Sequence, residues 1–324
     1  MAAEFREVNG DLCHELLVQS IKPKLSFDEQ GDYLAWKSAI REKFKELLGM
    51  ENIEKNAAPS PNLKIEQMEK KDGYLQIRFS FESEVGAVVP CYLLVPSTGS
   101  GKYPLAITLQ GHSSGFHNSI GLAKEEGDAD YIATRGDFGV QAVKRGYAAL
   151  CIEQRGMGEL LTTRHPFATY LCTYTAMTAI ELGRTTIGER CFDVSRAIDL
   201  MSEFEFVDTD KILITGNSGG GTTSYYAACL DERIKLSVPS CAFSPYKTSI
   251  LDIIHCNCNY IPSAYRYFEM QDLAALIAPR RLVLVNGEQD DIFPVGGVKE
   301  GYKTVKSIYE TCGAAENCKL AITP

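Results

Sequence analysis

A serine flanked by glycines is the residue of this chain best placed to do chemistry. It lies in Lys211-Ile-Leu-Ile-Thr-Gly-Asn-Ser218-Gly-Gly-Gly-Thr, where a short apolar run enters Gly-x-Ser-x-Gly and then helix-compatible sequence from Thr222 to Cys229. Strand, sharp turn and helix in that order make a nucleophile elbow, which lifts a serine hydroxyl clear of a sheet. Gly216 and Gly220 have no Cβ to obstruct the turn. The helix that follows would aim its unpaired N–H groups at negative charge developing near Ser218. The bland alternative is a glycine-rich turn with an incidental serine.

A serine hydroxyl is a weak nucleophile until a base takes its proton, and a histidine base needs an acid to hold its tautomer. The acid candidate follows the apolar strand Arg281 to Val285, in Asn286-Gly-Glu-Gln-Asp290-Asp-Ile-Phe-Pro. Gly287 turns the chain and Pro294 closes the loop. A carboxylate is thereby left at a strand's C-terminal end, where open α/β sheets build their sites. Asp290, three residues beyond the turn glycine, is preferred over Asp291. The histidines are His14, His112, His117, His165 and His255, and none follows Asp290.

One further group could bind a ligand. His255-Cys256-Asn257-Cys258 offers nitrogen and sulfur, but zinc needs a fourth ligand and this close spacing matches no common zinc pattern. The reading is a packed loop with no metal, and no cofactor is expected. The eleven cysteines are scattered through predicted strands and helices, which suits reduced core residues better than a disulfide scaffold.

A net charge of −9 with no run of lysine and arginine argues against nucleic acid as a partner. No apolar stretch is long enough to span a bilayer. The first residues, Met1 to Asn9, lack an apolar signal core, so a cytoplasmic location is expected.

The elements that must position Ser218 and Asp290 can be read from periodicity. Residues 1–60 form an N-terminal helical extension, in which Trp36, Ile40, Phe44, Leu47 and Leu48 make one apolar face. Ser26 and Glu29 suit a capping box upstream of it. The stripe must pack against the main domain or against another copy of the chain, which would make a homo-oligomer through these helices. Asn56 to Asn62 reads as a linker. Tyr74 to Glu82 and Ala87 to Pro96 read as an antiparallel pair. Beyond them, strands at Tyr103–Leu109, Ala148–Ile152, Lys211–Thr215, Ile234–Pro239, Arg281–Val285 and Lys319–Thr323 alternate with helices near 139–145, 186–204 and 298–309. Such alternation predicts an α/β class with a mainly parallel sheet covered on both faces. An insertion occupies about residues 243–270.

Several motifs in this order resemble the α/β-hydrolase superfamily, on the branch of dienelactone hydrolases and acetyl xylan esterases. They are Gln110-Gly-His, Arg155-Gly, Gly-Asn-Ser218-Gly-Gly, Ala278-Pro-Arg-Arg-Leu-Val-Leu-Val and Gly-Glu-Gln-Asp290. The resemblance implies an α/β-hydrolase fold over residues 61–324, with a doubly wound sheet. It also implies cofactor-independent hydrolysis of carboxylic esters through an acyl-serine, on small-molecule substrates such as acetylated carbohydrates. Ser218 would be the nucleophile and Asp290 the acid. The oxyanion hole would use the backbone N–H of Gly219 and one from the loop at His112.

Two positions depart from the acetyl xylan esterase pattern. Gly219 stands where that family has glutamine, and Arg155-Gly-Met157 stands where it has Arg-Gly-Gln. The family's histidine follows the last strand, and this sequence reaches Pro324 at that point. The expectation is therefore a chain cut just before the loop bearing the base. His255 in the insertion, His112 and Arg155 remain as pocket walls or alternative bases. A peptidase of the same fold, and a binding protein that kept the elbow but lost its base, stay open.

Overall fold

The computed structural model describes residues 8–99, 101–161 and 172–324; His165 and the first seven residues lie outside the described residues. The strands are β1 (Lys64–Lys71), β2 (Tyr74–Glu84), β3 (Ala87–Pro96), β4 (Tyr103–Leu109), β5 (Ala148–Ile152), β6 (Val207–Asn217), β7 (Ile234–Ser240), β8 (Arg281–Gly287) and β9 (Cys318–Thr323). The helices are α1 (Leu12–Ser20), α2 (Tyr33–Leu48), α3 (Met50–Glu54), α4 (Asp128–Tyr131), α5 (Phe138–Val143), α6 (Thr173–Glu181), α7 (Thr186–Leu200), α8 (Gly219–Leu230) and α9 (Val295–Thr311).

All nine strands form one sheet in the order β1-β2-β3-β5-β4-β6-β7-β8-β9. The pairs from β1 through β3 to β5 are antiparallel and the remainder are parallel. β5 is buried along its whole length, as a strand covered on both faces should be. β1 is its opposite, an exposed edge strand, and its lysines and glutamates discourage pairing with another chain.

The N-terminal extension packs onto the domain. Ile40, Phe44 and Leu48 are fully buried, and the Phe44 ring lies 5.3 Å from that of Tyr226 and 6.0 Å from that of Phe268. The apolar stripe of α2 is thus satisfied within the chain. α1 is different, since Leu12, Leu16 and Leu17 are exposed. The start of α2 is not the expected one. Asp32 caps it, accepting from Leu34 N and Ala35 N at 3.1 Å, while the Ser26 hydroxyl donates backwards to Pro23 O. Residues 56–62 do not form a free tether either. Ala58 N donates to Ser83 O and Glu82 N to Pro61 O, so this segment is laid along β2.

The insertion after β7 consists of 3₁₀ turns at Tyr246–Thr248, Asn257–Asn259, Ala264–Arg266 and Met270–Leu276. Periodicity did not expose α4 or α6, which are too short to show a stripe. Among the described residues no helix is long and apolar enough to cross a membrane.

Candidate active site

β6 ends at Asn217 and α8 begins at Gly219, so the whole reversal falls on Ser218, at φ 52° and ψ −120°. A non-glycine residue there carries strain of roughly 1–3 kcal/mol, which the surroundings must hold in place. They do so by hydrogen bonds and by contact. Ser218 N donates to Ser240 O at 2.9 Å, and Thr222 N returns to Ser218 O at 2.8 Å. A Cβ on Gly220 would lie 2.3 Å from Leu109 O, so only glycine lets α8 approach β4 this closely. Ser218 remains half-buried and opens into a cavity of about 320 Å³ shared with Asp290.

The loop after β4 lies along the elbow. A Cβ on Gly111 would fall 3.1 Å from the Ser218 Cβ, so the Gly111–His112 peptide borders the serine. Gln154 holds this loop against α8, donating from Nε2 to Gln110 O at 2.5 Å and accepting from the Thr223 hydroxyl at 2.6 Å. Farther along, buried Asp128 gathers Lys124 N and Glu125 N at 2.8 Å, the Ser114 hydroxyl and His117 Nε2 at 2.9 Å. Burial would raise this carboxyl, but the hydrogen bonds outweigh it and hold the group well below the usual carboxylate range. Glu153 braces the same loop, its Oε2 accepting from Phe116 N at 3.3 Å and Glu159 N at 3.1 Å. Burial dominates here and pushes its carboxyl up to about 7.

Asp290 faces the same cavity. Its Oδ1 accepts from Ile292 N at 2.9 Å and Phe293 N at 2.8 Å, which fixes the carboxylate, whereas Asp291 is exposed. Thr323 pairs with Gly287, and Glu288 N donates to Thr323 O at 2.7 Å. β9 therefore ends beside the Asp290 loop.

His112, His117 and His255 have hydrogen-bond partners other than Ser218 and Asp290. His112 Nε2 lies 3.3 Å from Cys258 Sγ. Burial works to lower its pKa, but hydrogen bonds to Cys172 and Cys258 prevail and push it up to about 9. His117 belongs to the Asp128 cluster. His255 meets Asn259 Nδ2 through Nδ1 at 3.1 Å and stands edge-on to Phe293 at 5.3 Å. Its Nε2 is buried without a partner, and burial followed by the nearby His112 lowers its pKa. His255 touches Phe293, which lines the Ser218 cavity, but is not itself part of that lining.

Arg155 is also displaced from the role of pocket wall or base. Its guanidinium donates to both Asp193 oxygens, at 2.8 and 2.6 Å, and pairs with Glu84 at 2.7 Å. It is locked into a buried ion network and is absent from the cavity lining.

The two departures at Gly219 and Met157 occupy one place. A Cβ on Gly219 would meet Met157 Cε at 2.9 Å and the His112 ring at 3.0 Å, so the thioether and imidazole fill the space over this glycine. Sequence reasoning missed Tyr131 and Cys241 as cavity walls. Cys241, at φ 48°, directly follows β7, and its position at a parallel strand's C-terminal end was the available signal. Tyr131 closes a short helix that shows no stripe, so it left no such signal.

The loop at 255–258, expected to be packed without a metal, divides its histidine from its cysteines. His255 meets Asn259, and the histidine gathered with the cysteines is His112. The ligand atoms of His112, Cys172 and Cys258 lie within 4.8 Å of one another.

Comparison with known proteins bears on the family and the fold. Residues 6–236 match the Abhydrolase family. A Bacillus subtilis (strain 168) protein named "Putative hydrolase YtaP" is 30% identical over 233 residues, covering 70% of this chain and 74% of its own length. The structure of a "putative acetyl xylan esterase" from Bacteroides fragilis NCTC 9343 superposes with a TM-score of 0.78 at 17% identity, over 98% of this chain and 83% of that one. A glucuronoyl esterase from Solibacter usitatus gives a TM-score of 0.66 at 16% identity, over 94% and 93%. With the family matched across most of the sequence and the sheet order, elbow and acid loop in place, this chain belongs to the Abhydrolase family and has the α/β-hydrolase fold.

Proposed function

We propose that the protein is a serine-dependent carboxylic-ester hydrolase that works through an acyl-enzyme on small acyl esters, such as acetylated carbohydrates. The observation that carries this reading is the strained elbow, with Ser218 opening into one small cavity with Asp290 and the Gly111–His112 peptide. Ser218 Oγ attacks the ester carbonyl as its proton passes to a base. The N–H groups of Gly219 and His112 donate to the oxyanion, each worth about 3 kcal/mol of barrier. Collapse expels the alcohol, which takes the proton from the base, and leaves the acyl-serine. Water then attacks it, giving a proton to the base that passes back to Ser218 Oγ as the acid departs. Asp290 holds the base's tautomer and offsets its positive charge. The base would be a histidine joining Asp290 to Ser218, and the end of β9 lies beside the Asp290 loop. The esterase names of the structural neighbours support the substrate class, and the cavity volume supports a small acyl group.

One observation favours a binding protein instead: among the described residues His112, His117 and His255 hydrogen-bond to Cys258, Asp128 and Asn259, and none of these bonds reaches Ser218 or Asp290. The deciding experiment is fluorophosphonate labelling with turnover of an activated acetyl ester, for the 324-residue chain and for one continued past β9. Labelling abolished by Ser218→Ala, with ester turnover in either form, establishes the hydrolase. A folded protein inert in both forms establishes the binding reading.

A further inference from the structure

We propose that His112, Cys172, Cys256 and Cys258 form a structural zinc site that fastens the insertion and the start of α6 to the loop beside Ser218. The donor set is drawn from three segments far apart in sequence, which is why no local spacing revealed it. In a tetrahedral zinc site with Zn–S near 2.3 Å and Zn–N near 2.0 Å, ligand atoms lie roughly 3.5–3.8 Å apart. His112 Nε2 is 3.3 Å from Cys258 Sγ, and the ligand atoms of these two residues and Cys172 all fall within 4.8 Å. Small side-chain adjustments bring three such atoms to coordination distance. Cys256 supplies the fourth position, because it packs on the cluster that holds Cys172 and Cys258.

The surroundings are suited to a metal-thiolate centre. Three thiolates, one neutral imidazole and Zn²⁺ sum to a charge of −1, and binding releases to solvent the three thiol protons and the extra proton of His112 when its ring is charged. Arg190, only 1% exposed, places Nη1 at 3.3 Å from Cys258 Sγ. Its Nε and Nη2 both donate to the Arg155 carbonyl, at 2.9 and 2.7 Å. A buried guanidinium calls for an anion. Among these partners only the Cys258 sulfur can become one. The backbone is also prepared, since the Thr173 hydroxyl donates to Asn257 Oδ1 at 2.9 Å and ties the first residue of α6 to the Cys256–Cys258 turn. Four protein ligands close the coordination sphere, so the ion would stabilise structure and would not activate water. It would hold the His112 ring, and with it the adjoining peptide at the elbow.

The test uses the full chain, reduced, stripped of metal and reconstituted with zinc or cobalt(II), then dialysed. The proposal expects one zinc per chain by elemental analysis, and a sulfur-to-cobalt charge-transfer band with tetrahedral d–d absorption. Zinc should suppress the reaction of half-exposed Cys256 with a thiol reagent, and a chelator should restore it. Cys258→Ser and Cys172→Ser should weaken zinc binding at least about tenfold, while Cys13→Ser and Cys312→Ser should leave it unchanged. Because a cluster variant could misfold, the wild-type stoichiometry and cobalt spectrum stand as independent readouts. A wild-type chain that retains no zinc, or an unaltered cobalt spectrum in folded Cys258→Ser, overturns the site.

Discussion

Two of the molecule's serine and aspartate sets invite comparison, one bonded through a histidine and the other proposed to be catalytic. Ser114, His117 and Asp128 are already joined by hydrogen bonds, yet the arrangement cannot relay a proton. Both the serine and the carboxylate meet the same nitrogen, Nε2, and the serine also donates directly to Asp128. His117 and Asp128 are buried, and backbone N–H groups of Lys124 and Glu125 saturate the carboxylate. Ser218 and Asp290 have no histidine bonded between them among the described residues, but both face a cavity, and the serine stands on a strained turn at a helix N-terminus. Residue types recur by chance; order, exposure and backbone strain do not. The first set braces the loop that borders the second.

Substitutions can break that contrast. Ser218→Ala should lower turnover of an acetyl ester by 10³-fold or more, on the order of what serine-enzyme nucleophiles lose, with an unchanged melting temperature. Ser114→Ala should alter turnover only a few-fold, but lower stability by about 1–3 kcal/mol in urea unfolding, because buried Asn118 loses the acceptor it meets at 2.9 Å. Equal kinetic losses in the two variants would erase the distinction.

Asp290→Asn should reduce kcat by roughly 10³–10⁴-fold, since the base would be held in the wrong tautomer. Asp128→Asn should act mainly on stability, and steady-state kinetics with thermal melts on both proteins compares them directly.

Glu153 sharpens the bracing role through pH. Its folded pKa is raised from 4.5 to about 7 by burial, so the folded state holds a proton that the unfolded chain releases. The resulting stabilisation is complete below about pH 4.5 and disappears as pH rises through 7. Glu153→Gln can keep both N–H partners on one oxygen and should flatten that slope, gaining up to about 3 kcal/mol over wild type at pH 8. Unfolding curves from pH 5 to 8 measure it.

The smallest effect concerns strain. Ser218→Gly should abolish turnover while stabilising the fold by about 1 kcal/mol, because glycine accepts positive φ without penalty. A destabilised glycine variant would mean that the elbow stores no strain.

Much of this site was legible in sequence because its signals are local. Strand, Gly-x-Ser-x-Gly and helix are contiguous, and steric exclusion of a Cβ at Gly220 acts between segments that the motif itself juxtaposes with β4. The same holds for Asp290, where Gly287 and Pro294 frame the loop. The expected capping box at Ser26 failed because a serine hydroxyl has several backbone acceptors within reach, and Pro23 O was nearer than a helix start. Arg155 and His255 were misplaced as pocket groups because a side chain's direction depends on which partners pack around it. Asp193 and Glu84 captured the first, and Phe293 and Asn259 the second.

By itself, the sequence determined the α/β alternation, the turn at Ser218 and the loop that carries Asp290, since backbone sterics and apolar periodicity act over a few residues. Only the tertiary structure decided which walls surround the serine, that Met157 and the His112 ring fill the space over Gly219, and that His112, Cys172 and Cys258 converge. Those contacts join segments separated by tens of residues, and the packing of the sheet and its insertion selects them.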